Sequence, residues 1–76
     1  MSAMAISSLL ATAIVRRLLL EFDMTEEEDH VRLLGQPVAI WVTAPSSDFG
    51  GQSPAQVLAS RGGEEAIGSW LTSRHR

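Results

Sequence analysis

An all-α fold, a small bundle of about five short helices, is predicted from three observations. Apolar residues recur at helical spacing, Ser, Thr, Pro and Gly mark helix starts and stops at several points, and the segments between these marks are short. With 76 residues and no cysteine, the chain is limited to one small domain without disulfides, and no Cys/His spacing is present for a structural zinc. A domain of this size buries only about 60% of the surface its unfolded chain exposes. Stability must therefore come from helix packing or from a second copy. The apolar content of 45% is that of a folding chain rather than a disordered one.

The first predicted helix lies in "MSAMAISSLLATAIVRRLLLEF". Its apolar run is broken by Ser7, Ser8 and Thr12 and closed by Arg16 and Arg17, too short to span a bilayer. A signal peptide would carry its positive charge ahead of the apolar run, whereas here the charge follows it, so a cytoplasmic location is expected. At 100° per residue, Ile6, Leu9, Leu10, Ala13 and Leu20 form one stripe, and Ala11, Val15, Leu18, Leu19 and Phe22 form another on nearly the opposite side. Two stripes make this either a central core helix or a helix that gives one face to a second copy. Residues 1–23 are accordingly read as an N-terminal helix and candidate oligomerisation element, ahead of a unit over 24–76.

After a turn at Asp23-Met24, Thr25 and Glu28 have the spacing of a capping box, and Glu26 to Asp29 place negative charge at the positive end of the second helix's dipole. Val31, Leu33 and Leu34 are its expected buried side and Gly35 its end. Glu26 and His30 stand one turn apart, but two ligands on a solvated face make no credible metal site. Pro37 opens a third helix through Trp41. Pro45 and Ser46-Ser47-Asp48 close it, and Gly50-Gly51 allow a sharp loop. Ser53, Pro54 and Gln56 then fall at N-cap, N1 and N3 of a fourth helix, whose Val57 and Leu58 face inward. Gly62-Gly63 end that helix, and Glu64-Glu65 open a fifth with Ala66, Ile67, Trp70 and Leu71 inside.

The stretch "WVTAPSSDFGGQSPAQVLASRGGEEAIGSWL", residues 41–71, resembles the toxin-binding domain of the Xre/MbcA/ParS antitoxins. That family's pattern runs Trp-Leu-x-x-Pro-Asn-x-x-(Leu/Phe)-x-Gly-x-(Ser/Thr)-Pro-x-x-(Leu/Val)-Leu and then Gly-x-x-x-Val. Trp41, Pro45, Phe49, Gly51, Ser53, Pro54, Val57, Leu58, Gly63 and Ile67 fall on it without a gap, across about two fifths of the chain. Val42 replaces the usual leucine and Ser46 the usual asparagine. Upstream, "MTEEEDHVRLLGQP" is similar to the first half of the helix-turn-helix in the same antitoxins, but only five residues separate Gly35 from Trp41, too few for a recognition helix. The helix-turn-helix is therefore incomplete.

The resemblance implies an antitoxin or antitoxin-like protein that binds a RES-domain, NAD-consuming toxin and covers its active-site entrance with the C-terminal region. Such a protein is an inhibitor and no enzyme, and it needs no cofactor. The residues themselves offer no nucleophile-base arrangement and no phosphate-binding glycine motif followed by lysine. By the family analogy the partner-binding residues are Trp70, Arg74 and Arg76, with Arg61 as a rim contact. The alternative for Trp70 is a core position, and for the arginines a role at the negative end of the last helix's dipole. Two other functions stay open, a DNA-binding autoregulator and a structural protein-interaction module. The formal charge of -3, with all six basic residues arginines, lacks the broad basic field of a DNA binder.

Overall fold

In the computed structural model of the chain, residues 6–75 are described. They form helices α1 (Ser8–Leu20), α2 (Glu27–Leu34), α3 (Val38–Trp41), α4 (Pro54–Leu58) and α5 (Gly63–His75), with a 3-10 turn at Ser47–Phe49 between α3 and α4. No strand occurs among the described residues. The fold is all-α, as the periodicity and capping signals predict.

Helix α1 begins where Ser7, in extended backbone, accepts a hydrogen bond from the Leu10 amide at 3.1 Å. Of its two apolar stripes, only one is buried: Ala11, Val15, Leu18 and Leu19 enter the core, and Phe22 packs at its edge. From the other stripe Ile6 also packs on the core, whereas Ala13 is exposed and Leu9, Leu10 and Leu20 are 83%, 53% and 54% exposed. The helix therefore lies at the surface of the single chain and not at its centre. It packs on α3, α4 and α5 and shares one apolar core with them.

The start of α2 differs from expectation. Glu26 takes the N-cap position without a side-chain cap bond, which leaves Thr25 outside the helix and puts Glu28 one position too early for a capping box. The three carboxylates of Glu27, Glu28 and Asp29 still occupy the first turn, where the dipole favours them. The buried side is also rotated. His30 and Leu34 are its buried residues, while Val31 and Leu33 are half-buried. His30, expected on a solvated face, is 7% exposed because its Nε2–H donates to the Met24 carbonyl at 2.9 Å. That bond sews α2 to the turn in which Asp23 adopts φ 61°, a left-handed conformation that aspartate tolerates better than most residues.

Pro37 serves as N-cap of α3, a single turn that turns Val38 and Trp41 inward. No helix of recognition length follows α2 before this turn. At α4 the predicted capping box is present in full: Ser53 Oγ accepts from the Gln56 amide at 3.2 Å, and Gln56 Oε1 accepts from the Ser53 amide at 2.8 Å. A helix this short has little stability of its own. It is fixed at its front by that box and by the Ala55 amide donating to the Val42 carbonyl at 2.9 Å.

The glycine pair behind α4 divides its work differently from expectation. Gly62 forms the turn, whereas Gly63 is buried as the first residue of α5. A Cβ at Gly63 would overlap the Val57 carbonyl, so only glycine lets α5 begin this close to α4. Ile67 and Leu71 then fall into the core with no exposed surface, while Ala66, expected inside, faces solvent and Leu58 is half-buried.

Two glycines of α5 should respond oppositely to the same substitution. Gly63→Ala should cost about 1–3 kcal/mol by overpacking a backbone contact. Gly68→Ala, at a position where an added Cβ meets nothing within 4 Å, should gain about 0.5–1 kcal/mol from helix propensity. Urea denaturation of the two variants checks both signs.

Candidate functional site

The residues that carry the resemblance converge on one corner of the fold. Trp41, 5% exposed at the end of α3, meets Phe49 with ring centroids 6.2 Å apart and near edge-on, and meets Trp70 of α5 at 5.3 Å. Phe49 and Trp70 close the triangle at 5.6 Å. Trp41 is the buried member, and the other two are half-buried.

The loop that carries Phe49 is tied by its own backbone. The Gly51 amide donates to the Ser46 carbonyl at 2.8 Å, the Ser46 amide to the Gln52 carbonyl at 3.1 Å, and the Gln52 amide to the Phe49 carbonyl at 3.1 Å. Ser46, in the place of the family's asparagine, accepts from the Asp48 amide through its hydroxyl at 3.1 Å, so the shorter polar side chain supplies the turn's side-chain cap. Gly51, at φ 88°, holds a left-handed conformation that an L side chain resists. Pro45 is exposed at the loop's entrance, while Ser53 and Pro54 are buried at its exit.

Trp70 and Arg74, one turn apart on α5, form the outward edge of this corner. The Trp70 indole N–H donates to Asp48 Oδ2 at 3.3 Å. The Arg74 guanidinium lies 5.1 Å from the Trp70 ring centroid, and its Nε–H donates to the Leu33 carbonyl near the end of α2 at 3.3 Å. Arg74 is thus placed by two internal contacts, and its four remaining N–H donors stay available in a planar fork suited to carboxylate or phosphate oxygens. The result is a half-exposed aromatic surface with a fixed cation at one side and the Asp48 carboxylate at the other.

Arg61 is exposed in the turn before α5, at the opposite end of that helix from Arg74 and roughly 16 Å away along its axis. The fold does not bring it to the aromatic corner. Arg76 lies outside the described residues. His75, which the sequence reading placed with the frayed tail, instead stacks against Phe22 at 4.8 Å and joins the end of α5 to the end of α1.

Sequence reasoning missed Asp48 and the Leu33 carbonyl. Asp48 was visible only as a turn residue, and nothing local in the chain pairs it with Trp70, 22 positions on. Among the described residues no three His, Asp or Glu side chains gather in an arrangement that would hold a metal, and no helix is long and apolar enough to cross a membrane. No protein family, curated protein or solved structure matches the chain.

The two ends of the site should separate stability from surface chemistry. Trp41→Ala should cost about 3–5 kcal/mol, comparable to the whole stability of a small domain, and leave the chain largely unfolded by circular dichroism. Arg74→Ala, which removes one exposed cation–π contact and one long hydrogen bond, should cost no more than about 1 kcal/mol in the same assay.

Proposed function

We propose that the protein is an antitoxin-like inhibitor that binds a RES-domain, NAD-consuming toxin and covers its active-site entrance with the aromatic corner and the C-terminal half of α5. One observation carries this reading. The residues that resemble the antitoxin pattern, from Trp41 through Phe49, Gly51, Ser53 and Pro54 to Gly63 and Ile67, all serve to position a single surface on which Trp70 and Arg74 stand outward.

In this role Trp70 supplies a large apolar anchor whose area is already fixed by Trp41 and Phe49, so little side-chain entropy is lost on docking. Arg74 pairs with carboxylates at the toxin's entrance or takes the place of a dinucleotide phosphate. Inhibition needs no chemistry by this chain; it consists of occupying the route by which NAD enters. The action takes place in the cytoplasm, where the toxin meets its substrate. A DNA-binding role has less support, since Arg17 is paired with Glu64 at 2.6 Å, Arg32 with Asp29 at 3.1 Å, and Arg74 is engaged at the aromatic corner.

Purified protein added to a RES-domain toxin should suppress NAD consumption stoichiometrically. Arg74→Ala combined with Trp70→Ala should weaken inhibition by at least about 30-fold, the loss expected for removing an interface hot spot. Circular dichroism of the double variant controls for folding. Full inhibition by a folded double variant would place the inhibitory surface elsewhere, and no inhibition by the parent chain would overturn the reading.

A further inference from the structure

The outward face of α1 carries a pattern that no contact within the chain uses. Leu9, Ala13, Arg16 and Leu20 are all exposed, and they repeat at intervals of four, three and four residues. This is the a/d spacing of a two-helix seam. It is also palindromic. Leu9 and Leu20 are three helical turns apart on nearly the same meridian, with the small Ala13 and the long Arg16 between them.

The geometry points to a second copy of this chain as the occupant, paired through antiparallel α1 helices about a two-fold axis midway between Ala13 and Arg16. A two-fold interface requires that residue i meet j while j meets i. The 4-3-4 spacing satisfies this in one register: Leu9 meets Leu20 of the second copy, Ala13 meets its Arg16, and both contacts recur on the other side of the axis. The small Ala13 leaves room for the aliphatic stem of the opposing Arg16, whose guanidinium then reaches solvent.

Charge selects the direction. A parallel pair would set Arg16 and Arg17 beside their own copies, and α1, with the sequence SLLATAIVRRLLL, has no carboxylate to offset them. Antiparallel pairing puts each Arg16 against an alanine, while Arg17 is already matched to Glu64 within its own chain. One 13-residue helix on each side makes a contact smaller than a standard interface, so the dimer is weak and forms at high protein concentration.

Because the chain has no cysteine, single thiols can report the register without background. Leu9→Cys and Leu20→Cys replace exposed side chains and should leave the fold intact. Treated with a short bis-maleimide, the two variants mixed should cross-link at least 10-fold more than either alone, because Leu9 and its own copy would lie about 16 Å apart along the axis. Light scattering of the parent chain should show mass rising toward dimer near ~1 mM, and Leu9→Glu with Leu20→Glu should hold it at monomer. Equal cross-linking of Leu9→Cys with itself would overturn the antiparallel register. A parent chain that stays monomeric, or mixed thiols that cross-link no better than an exposed Ala39→Cys control, would overturn the pairing itself.

Discussion

The approach of α5 to the Val57 carbonyl sets the geometry on which the rest of the fold depends. Gly63 has no side chain to hold the two helices apart, so α5 starts in direct backbone contact with α4. From that start, helical spacing alone carries Ile67 and Leu71 into the core and Trp70 to its edge. A side chain at position 63 would displace the beginning of α5, and with it every residue that α5 presents further on. The short α4 is equally dependent on this contact, since a five-residue helix is held by its neighbours more than by its own hydrogen bonds.

The second determinant is Trp41. It is contributed by a single turn of helix, yet it touches both the loop through Phe49 and α5 through Trp70. A large aromatic shared by three segments couples them, so the loop conformation and the position of α5 are settled together. Ser46, Gly51 and the Ser53 capping box fix the loop from its own side. What reaches solvent is the remainder of this arrangement: one face of Trp70, one side of Phe49, and the Arg74 fork. A partner surface built on so little flexible material binds without first ordering it, which is the physical sense in which the corner suits an inhibitor.

What could be read from the sequence was what depends on neighbours in the chain. Ser53, Pro54 and Gln56 announce α4 because N-cap, N1 and N3 preferences act over four residues. The same rule failed at Thr25, where the helix begins at Glu27 and the apparent box is out of register by one. His30 was placed on the wrong face because its burial depends on the Met24 carbonyl, which the left-handed Asp23 turns toward it. The periodicity of α1 revealed two stripes but not which one the core takes, a choice made by α3, α4 and α5 together. Trp70 proved to be both of the things it was weighed as, packed on the core and half open to solvent. Arg74 was legible as an interface residue type, but its bond to Leu33, 41 positions away, was not.

The proposed function gains its support from residue identity at the motif positions and from the fact that these residues build one surface. The acidic first turns of α2 and α5 and the outward seam of α1 lie apart from it, which leaves the aromatic corner free whether the chain acts singly or as a pair. Hydrogen exchange of the protein, alone and mixed with a RES-domain toxin, tests the claim most directly because it locates the covered surface without altering any residue. The account predicts slowed amide exchange over residues 46–52 and the C-terminal half of α5, with α2 unchanged. A toxin that leaves every amide of the chain unprotected, or that protects α1 and α2 while the aromatic corner exchanges freely, would contradict it.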